Sequence, residues 1–247
     1  MATPKRMVID ISHHQEVTDW DVMAAAVHGI IHKASEGGTW GPDDKFEGRR
    51  KGCAESELLW GAYHFANGTD VDQQVENFLR CATPKPTDLV CLDWEDNPGG
   101  TMMSAAQARE WIEKVEKRLG RPGEVVIYGG NTLKEQLHGS DEFFGSRRLW
   151  LCQYGSNPTV PESWDETGWW LWQYSDGASG PSPRDCPGVS HPCDTNSYAG
   201  TPDELRAEWA SGKAQPAPEP DAQLVIITIK IHGVSADNVQ VEMEEVK

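Results

Sequence analysis

The sequence predicts an α/β fold, a modified (β/α) barrel with incomplete helices in its later part, plus a short C-terminal β-hairpin appendage. Three observations predict it. Apolar strand-like runs alternate with helix-like stretches over the first half of the chain. Their spacing, units of about 25–35 residues, implies parallel strands joined by right-handed crossovers. The later strand-like runs then follow one another with no convincing helix between them, which suits a closed barrel better than a doubly wound sheet.

In chain order, Met7-Val8-Ile9-Asp10-Ile11 reads as a short buried strand, and a helix follows over 19–27, with Asp19 or Thr18 able to cap its first turn. Residues 29–34 are again strand-like and 44–56 helix-like. Leu58 to Phe65 forms a third strand, 70–82 a helix, and 89–95 a fourth strand. The clearest helix spans 104–119, where Ala105, Ala108, Ile112, Val115 and Leu119 recur at three- and four-residue spacing with charges between them. Residues 124–128 form a fifth strand, and 148–154 and 169–174 two more. A Gly/Pro-rich loop occupies 176–192, and a last helix spans 201–211, with Thr201 as its cap and Pro202 at its first position.

The expected domains are a barrel over 1–212, a Pro-rich linker over 213–222 and a hairpin tail over 223–247. Three prolines between Ala214 and Asp221 make that linker stiff and extended. In the tail, Val225, Ile227, Ile229 and Ile231 share one face, and Val239, Val241 and Met243 share another. A turn-forming 233–238 stretch joins the two segments. An isolated hairpin is marginal in water, so it should dock on its own barrel or add a strand between subunits, as a homo-oligomer.

Charge narrows the function classes. The 247 residues carry 22 Lys and Arg against 39 Asp and Glu, a formal charge of −17. That balance argues against nucleic acid, whose binding rests on neutralising phosphates with Lys and Arg. No apolar run reaches the roughly 18 residues a spanning helix needs, so no membrane insertion is expected. Lys5 and Arg6 near the N-terminus are followed by no apolar core of a secretory signal, so none is expected. The six cysteines form no CxxC pair; Cys91 and Cys152 lie in apolar runs, and Cys186 and Cys193 flank a loop they are able to close as a disulfide or leave open as thiols. The eight histidines show no HExxH or comparable spacing, and neither a nucleotide loop nor a nucleophile elbow is present, so no metal and no cofactor is expected.

The acids are more informative. In Leu92-Asp93-Trp94-Glu95-Asp96, residues i and i+2 of a strand share a face, setting Asp93 beside Glu95. Burying unpaired carboxylates is costly, yet a neighbouring charge raises a carboxyl's pKa and keeps a proton available near neutrality. The alternative is a strand ending in a solvated acidic loop, helped by Asn97-Pro98-Gly99-Gly100. Asp10 also follows an apolar run near a strand's C-terminal end, the end where β/α barrels carry their active sites. Asp194, after the Gly/Pro loop, reads on its own as an Asx turn. Aromatic residues recur at strand ends: Tyr63, Phe65, Tyr128, Tyr154 and the Trp172-Gln173-Tyr174 run, with Trp94 between the paired acids. Each is ordinarily core or barrel wall, whereas together with acids they describe a carbohydrate cleft.

These residues resemble a known family. Asp10-Ile11-Ser12-His13-His14-Gln15 with Asp19-Trp20 is similar to the opening motif of the glycoside hydrolase family 25 lysozymes, the N-acetylmuramidases. Lys33-Ala34-Ser35-Glu36-Gly37 resembles the second-strand motif, with Ser35 where Thr is common. Gly61 to Phe65 resembles the third, Leu92-Asp93-Trp94-Glu95 the Asp-x-Glu signature, and Trp172-Gln173-Tyr174 and Asp194-x-Asn196 complete the order. The resemblance implies a modified β/α barrel and hydrolysis of the β-1,4 bond between N-acetylmuramic acid and N-acetylglucosamine in peptidoglycan. It implies Glu95 as general acid, Asp93 as its partner carboxylate, and Asp10 and Asp194 as the remaining acids. Tyr63, Lys33, Tyr128, Tyr154 and Trp172 are the candidates for binding substrate.

The expected chemistry is cleavage with retention, assisted by the substrate's own acetamido group; the competing schemes use a carboxylate as nucleophile or as base for inverting attack by water. The other functional readings are a non-catalytic glycan-binding barrel and a hydrolase of chitin-like glycans. With no signal expected, a phage endolysin made in the host cytoplasm and acting on the wall after release is the anticipated setting.

Overall fold

The computed structural model describes residues 5–98 and 100–210. The linker and hairpin expected over 213–247, with their docking and oligomer readings, lie outside the described residues. Eight strands close into one barrel in sequence order. They are β1 (Val8–Ile11), β2 (Gly29–Glu36), β3 (Leu59–Phe65), β4 (Leu89–Asp93), β5 (Val126–Gly129), β6 (Leu149–Cys152), β7 (Leu171–Ser175) and β8 (Asp194–Tyr198). Strands β1 to β7 pair in parallel, and β8 runs antiparallel to both β7 and β1.

The helices thin out along the chain. Between the early strands stand α1 (Trp20–Ala24), α2 (Phe46–Glu55), α3 (Val71–Ala82) and α4 (Ala105–Leu119). Beyond β5, the described residues hold only α5 (Asn131–Gln136), α6 (Glu142–Gly145) and a 3-10 turn at Glu162–Trp164, and then α7 (Pro202–Glu208) after β8. Asp19, Asp70, Ser104 and Thr201 cap α1, α3, α4 and α7 through their side chains, each accepting a first-turn backbone N–H. Ser104 with Gln107, and Thr201 with Glu204, form reciprocal capping boxes, and Gly120 ends α4 in the left-handed conformation (φ 68°) that a side chain disfavours.

Period-two alternation sorts the side chains into two layers. Val8, Ile31, Leu89, Cys91, Val126, Tyr128, Trp150 and Leu171 pack together inside the barrel. Their neighbours along the strands, including Ile9, Ile30, Val90, Leu92, Ile127, Leu151 and Trp172, pack outward against the helices. The N-terminal end of the barrel is closed by Leu205 and Trp209; the Trp209 indole donates to the Trp60 carbonyl at 2.7 Å. With that end plugged by apolar side chains, the opposite end is left to the polar groups.

Several elements differ from the sequence reading. Strand β2 continues to Glu36 and β4 stops at Asp93, so Glu95 stands just past the strand rather than in it. The ladder is extended only by the Trp94 N–H donating to the Tyr128 carbonyl at 3.0 Å. Asp194 opens β8 instead of forming a turn; Asp-Thr-Asn-Ser-Tyr has no apolar run to announce a strand. Cys186 and Cys193 are both buried free thiols, so no disulfide closes their loop.

Candidate active site

The parallel strands deliver the acids. Asp10 is the third residue of β1 and points inward beside Val8, and Asp93 is the last residue of β4 on the same inner layer as Leu89 and Cys91. Because β8 is reversed, its first residue lies at the C-terminal ends of the others, and Asp194 pairs across the ladder with Asp10. The reversal is what turns an unremarkable loop-exit residue into part of the site. Glu95 completes the set from the turn beyond β4. All four acids line one pit of about 80 Å3, together with Tyr63, Tyr128, Trp150 and Gln173.

Glu95 also lines a wider groove of about 420 Å3 with Asp96, Asn131, Gln153 and Tyr154. A crevice of about 330 Å3 between Trp169, Trp170, Tyr198 and Glu208 lies around the starts of β6 and β7 and holds none of the four acids. The pit itself has room for one small group, and the groove beside it for a larger one.

The charges in the pit are mutually constrained. Asp10 is 5% exposed; burial pushes its carboxyl up to about 6, held back by hydrogen bonds from Asn196, Gln173 and Asp194. Burial raises Asp194 to about 9, reinforced by the charge of Asp10 and a hydrogen bond to it, so of this pair Asp194 keeps the proton and Asp10 gives it up. Burial raises Glu95 to about 7, with the charges of Asp10 and Asp96 adding and Lys33 opposing. Asp93 is pushed well above the usual carboxylate range by burial first and then by Glu95 and Asp10. Its Oδ1 is buried with no hydrogen-bond partner among the described residues. An acceptor of that kind is costly to leave unmet and calls for a donor from whatever fills the pit.

The candidates for binding substrate separate into three groups. Tyr63 and Tyr128 line the pit, and Tyr154, 41% exposed, lines the groove; the Tyr128 and Tyr154 hydroxyls both donate to Gln173 Oε1, at 2.9 and 3.1 Å. Lys33 stands at the rim, its Nζ 2.6 Å from Glu36 Oε2 and 4.7 and 4.8 Å from the ring centres of Trp40 and Phe65. Trp172 does not reach the site. It is 3% exposed, packs outside the barrel against Trp169 and Tyr174, and its indole donates to the Gln153 carbonyl at 2.8 Å. Strand alternation puts its neighbour Gln173 inward in its place. Trp94 likewise faces the core, its indole donating to the Met103 carbonyl at 2.8 Å.

Trp150 and Gln173, which line the pit, and Asn196, which bonds Asp10, carry no role in the sequence alone. The signal was present, since Gln173 and Asn196 sit in the Trp172-Gln173-Tyr174 and Asp194-x-Asn196 motifs, and a polar residue inside an apolar strand needs a partner.

Comparison with known proteins adds to the geometry. The family model described as "Glycosyl hydrolases family 25" matches residues 9–182. Lysozyme M1 of Streptomyces globisporus is 31% identical over 214 residues, covering 81% of this chain and 69% of its own length. The solved structure of the bacterial lysozyme from Streptomyces coelicolor superposes with a TM-score of 0.72 at 28% identity, over 86% of this chain and 100% of its own. The muramidase from Acremonium alcalophilum gives 0.67 at 26% identity, over 86% of this chain and 100% of its own.

Proposed function

The chain belongs to glycosyl hydrolases family 25, and on that premise we propose that it is an N-acetylmuramidase cleaving the β-1,4 bond between N-acetylmuramic acid and N-acetylglucosamine in peptidoglycan. The observation that carries this reading is the pit itself: Glu95, raised to about 7, beside a buried Asp93 whose Oδ1 has no partner among the described residues. Glu95 keeps its proton near neutrality and donates it to the departing glycosidic oxygen. The substrate's acetamide N–H is the donor that Asp93 Oδ1 lacks. Held there, the acetamide carbonyl oxygen attacks the anomeric carbon as the glycosidic C–O bond breaks. Positive charge develops on the acetamide nitrogen and favours the carboxylate form of Asp93. Glu95, now ionised, takes a proton from water; the hydroxide oxygen bonds the anomeric carbon and the cyclised acetamide reopens. The outcome is retention, and clean inversion of the product anomer contradicts this scheme.

The test against the alternative readings is reducing-end release from purified peptidoglycan and, in parallel, from chitin oligomers. Release from peptidoglycan with little from chitin is expected. Binding without release points to a glycan-binding barrel, and equal rates on both point to a hydrolase of chitin-like glycans.

The pH dependence follows from the same groups. Glu95 must be protonated and loses its proton as pH rises through about 7; Asp10, whose charge in the pit favours the cationic cyclised acetamide, must be ionised and gains a proton as pH falls through about 6. A bell-shaped kcat/KM is expected with its maximum between these values, the apparent constants belonging to the coupled acids together. Activity still rising at about pH 8, a unit above the Glu95 limb, contradicts the assignment of Glu95 as the proton donor.

We also propose that the enzyme works as an endolysin, made in a host cytoplasm and acting on the wall after release. What supports this is the wall-directed chemistry proposed above. Induced expression in a bacterial host should lyse it only once the membrane is permeabilised.

A further inference from the structure

Behind Asp10 lies a pair of buried amides that the roles above leave unused. Gln173 faces inward from β7, and its Nε2 donates to Asp10 Oδ1 at 3.0 Å and Oδ2 at 3.1 Å. Its Oε1 accepts from the hydroxyls of Tyr128 and Tyr154 and from the Cys152 thiol at 3.2 Å. The hydroxyls and the thiol are able to accept as well as donate, but the flipped amide would set its oxygen against the Asp10 carboxylate, so this orientation is the one that suits an ionised Asp10. Asn196 obeys the same logic. The Trp150 indole, which can only donate, bonds its Oδ1 at 2.6 Å and turns its Nδ2 to Asp10 Oδ2 at 2.7 Å.

We infer that Gln173 is a positioning residue of this hydrolase: its locked amide keeps Asp10 an unprotonated acceptor and leaves the pair's proton on Asp194. The pit then holds one fixed negative charge in the neighbourhood of Glu95. The inference rests on the hydrolase reading and adds to it a residue that acts through Asp10 rather than on substrate.

Other groups share that neighbourhood. Asp194 faces Asp10 from β8, Asp93 and Glu95 from the end of β4, and Tyr63 from β3. Cys152 and Tyr154 stand on the β6 side, their own ionisation opposed by the charge of Asp10, and Lys33 is the cation that opposes the rise in Asp93 and Glu95. The signs then follow. Replacing the amide by an apolar side chain removes donors from Asp10, which takes up a proton at higher pH. Glu95 next faces a neutral neighbour and releases its own proton at lower pH. Both limbs of the kcat/KM profile move inward. A residue that merely fills space would change the melting temperature and scale the profile without moving its limbs.

The experiment compares full-length wild type, Gln173→Leu and Tyr154→Phe on soluble peptidoglycan fragments across both limbs. For Gln173→Leu, kcat falls about 10- to 100-fold, the loss expected for a hydrogen bond to a charged group, with KM changed little. Its profile narrows by about one pH unit. Tyr154→Phe removes one of the three donors that lock the amide and gives a smaller narrowing in the same direction, so the inference stands testable if Gln173→Leu fails to fold. A second readout needs no turnover: carboxyl 13C NMR titration of Asp10, whose midpoint rises in both variants. Limbs unmoved from wild type, or an Asp10 midpoint unchanged in both variants, overturns the inference. If wild type releases no reducing ends, the hydrolase reading fails, and the NMR titration still decides the positioning role.

Discussion

Glu95→Gln is expected to abolish wall clearing while leaving the protein folded and bound to wall. The amide matches the carboxyl in size and hydrogen-bonding reach but has no acidic proton to give the departing oxygen. In wild type, burial and the charge of Asp10 hold that proton on Glu95 to about pH 7, an arrangement useful only if the proton is to be transferred. General acid catalysis contributes about 10²- to 10⁴-fold, so turnover on purified peptidoglycan should fall by about that factor. Pelleting with wall fragments should be unchanged, because the groove around Tyr154 and Asn131 is intact. Turnover within about tenfold of wild type removes Glu95 from the role.

The second large effect is at Asp93. Asp93→Asn keeps an oxygen at the position of Oδ1 but is unable to become the carboxylate that the positively charged, cyclised acetamide favours. A loss of about 10²- to 10³-fold in kcat is expected, the scale seen when a preorganised partner of transition-state charge is removed. A thiazoline analogue of the cyclised acetamide separates the two acids. It should bind wild type and Glu95→Gln alike and lose affinity for Asp93→Asn. Equal binding by all three denies Asp93 its contact with the acetamide.

Most of the architecture was legible because it rests on local physics. Apolar runs at strand spacing announce β1 to β7, the periodic apolar face of 104–119 announces α4, and the caps Asp19 and Thr201 mark the starts of the short α1 and α7. Strand β8 was not, for two reasons. Its run Asp-Thr-Asn-Ser-Tyr is mostly polar, with Asp194 and Asn196 turned to the pit, and its partner β1 is distant in sequence and antiparallel to it. Asp194 consequently looked like a turn when taken alone. The acids at 10, 93 and 95 could be read as costly burials at strand ends. Trp172 could not be placed, because aromatic character does not reveal which side of a strand faces the pit; the register that turns Gln173 inward decides it. The amides of Gln173 and Asn196 make sense only once Tyr128, Tyr154 and Trp150 are seen to fix their orientation.

The most direct test of the account is mass spectrometry of the fragments released from purified peptidoglycan, with borohydride labelling of the new reducing end. The account predicts N-acetylmuramic acid as the labelled sugar, in products whose peptides are uncut. N-acetylglucosamine at the reducing end, or cleavage within the peptides, would contradict it.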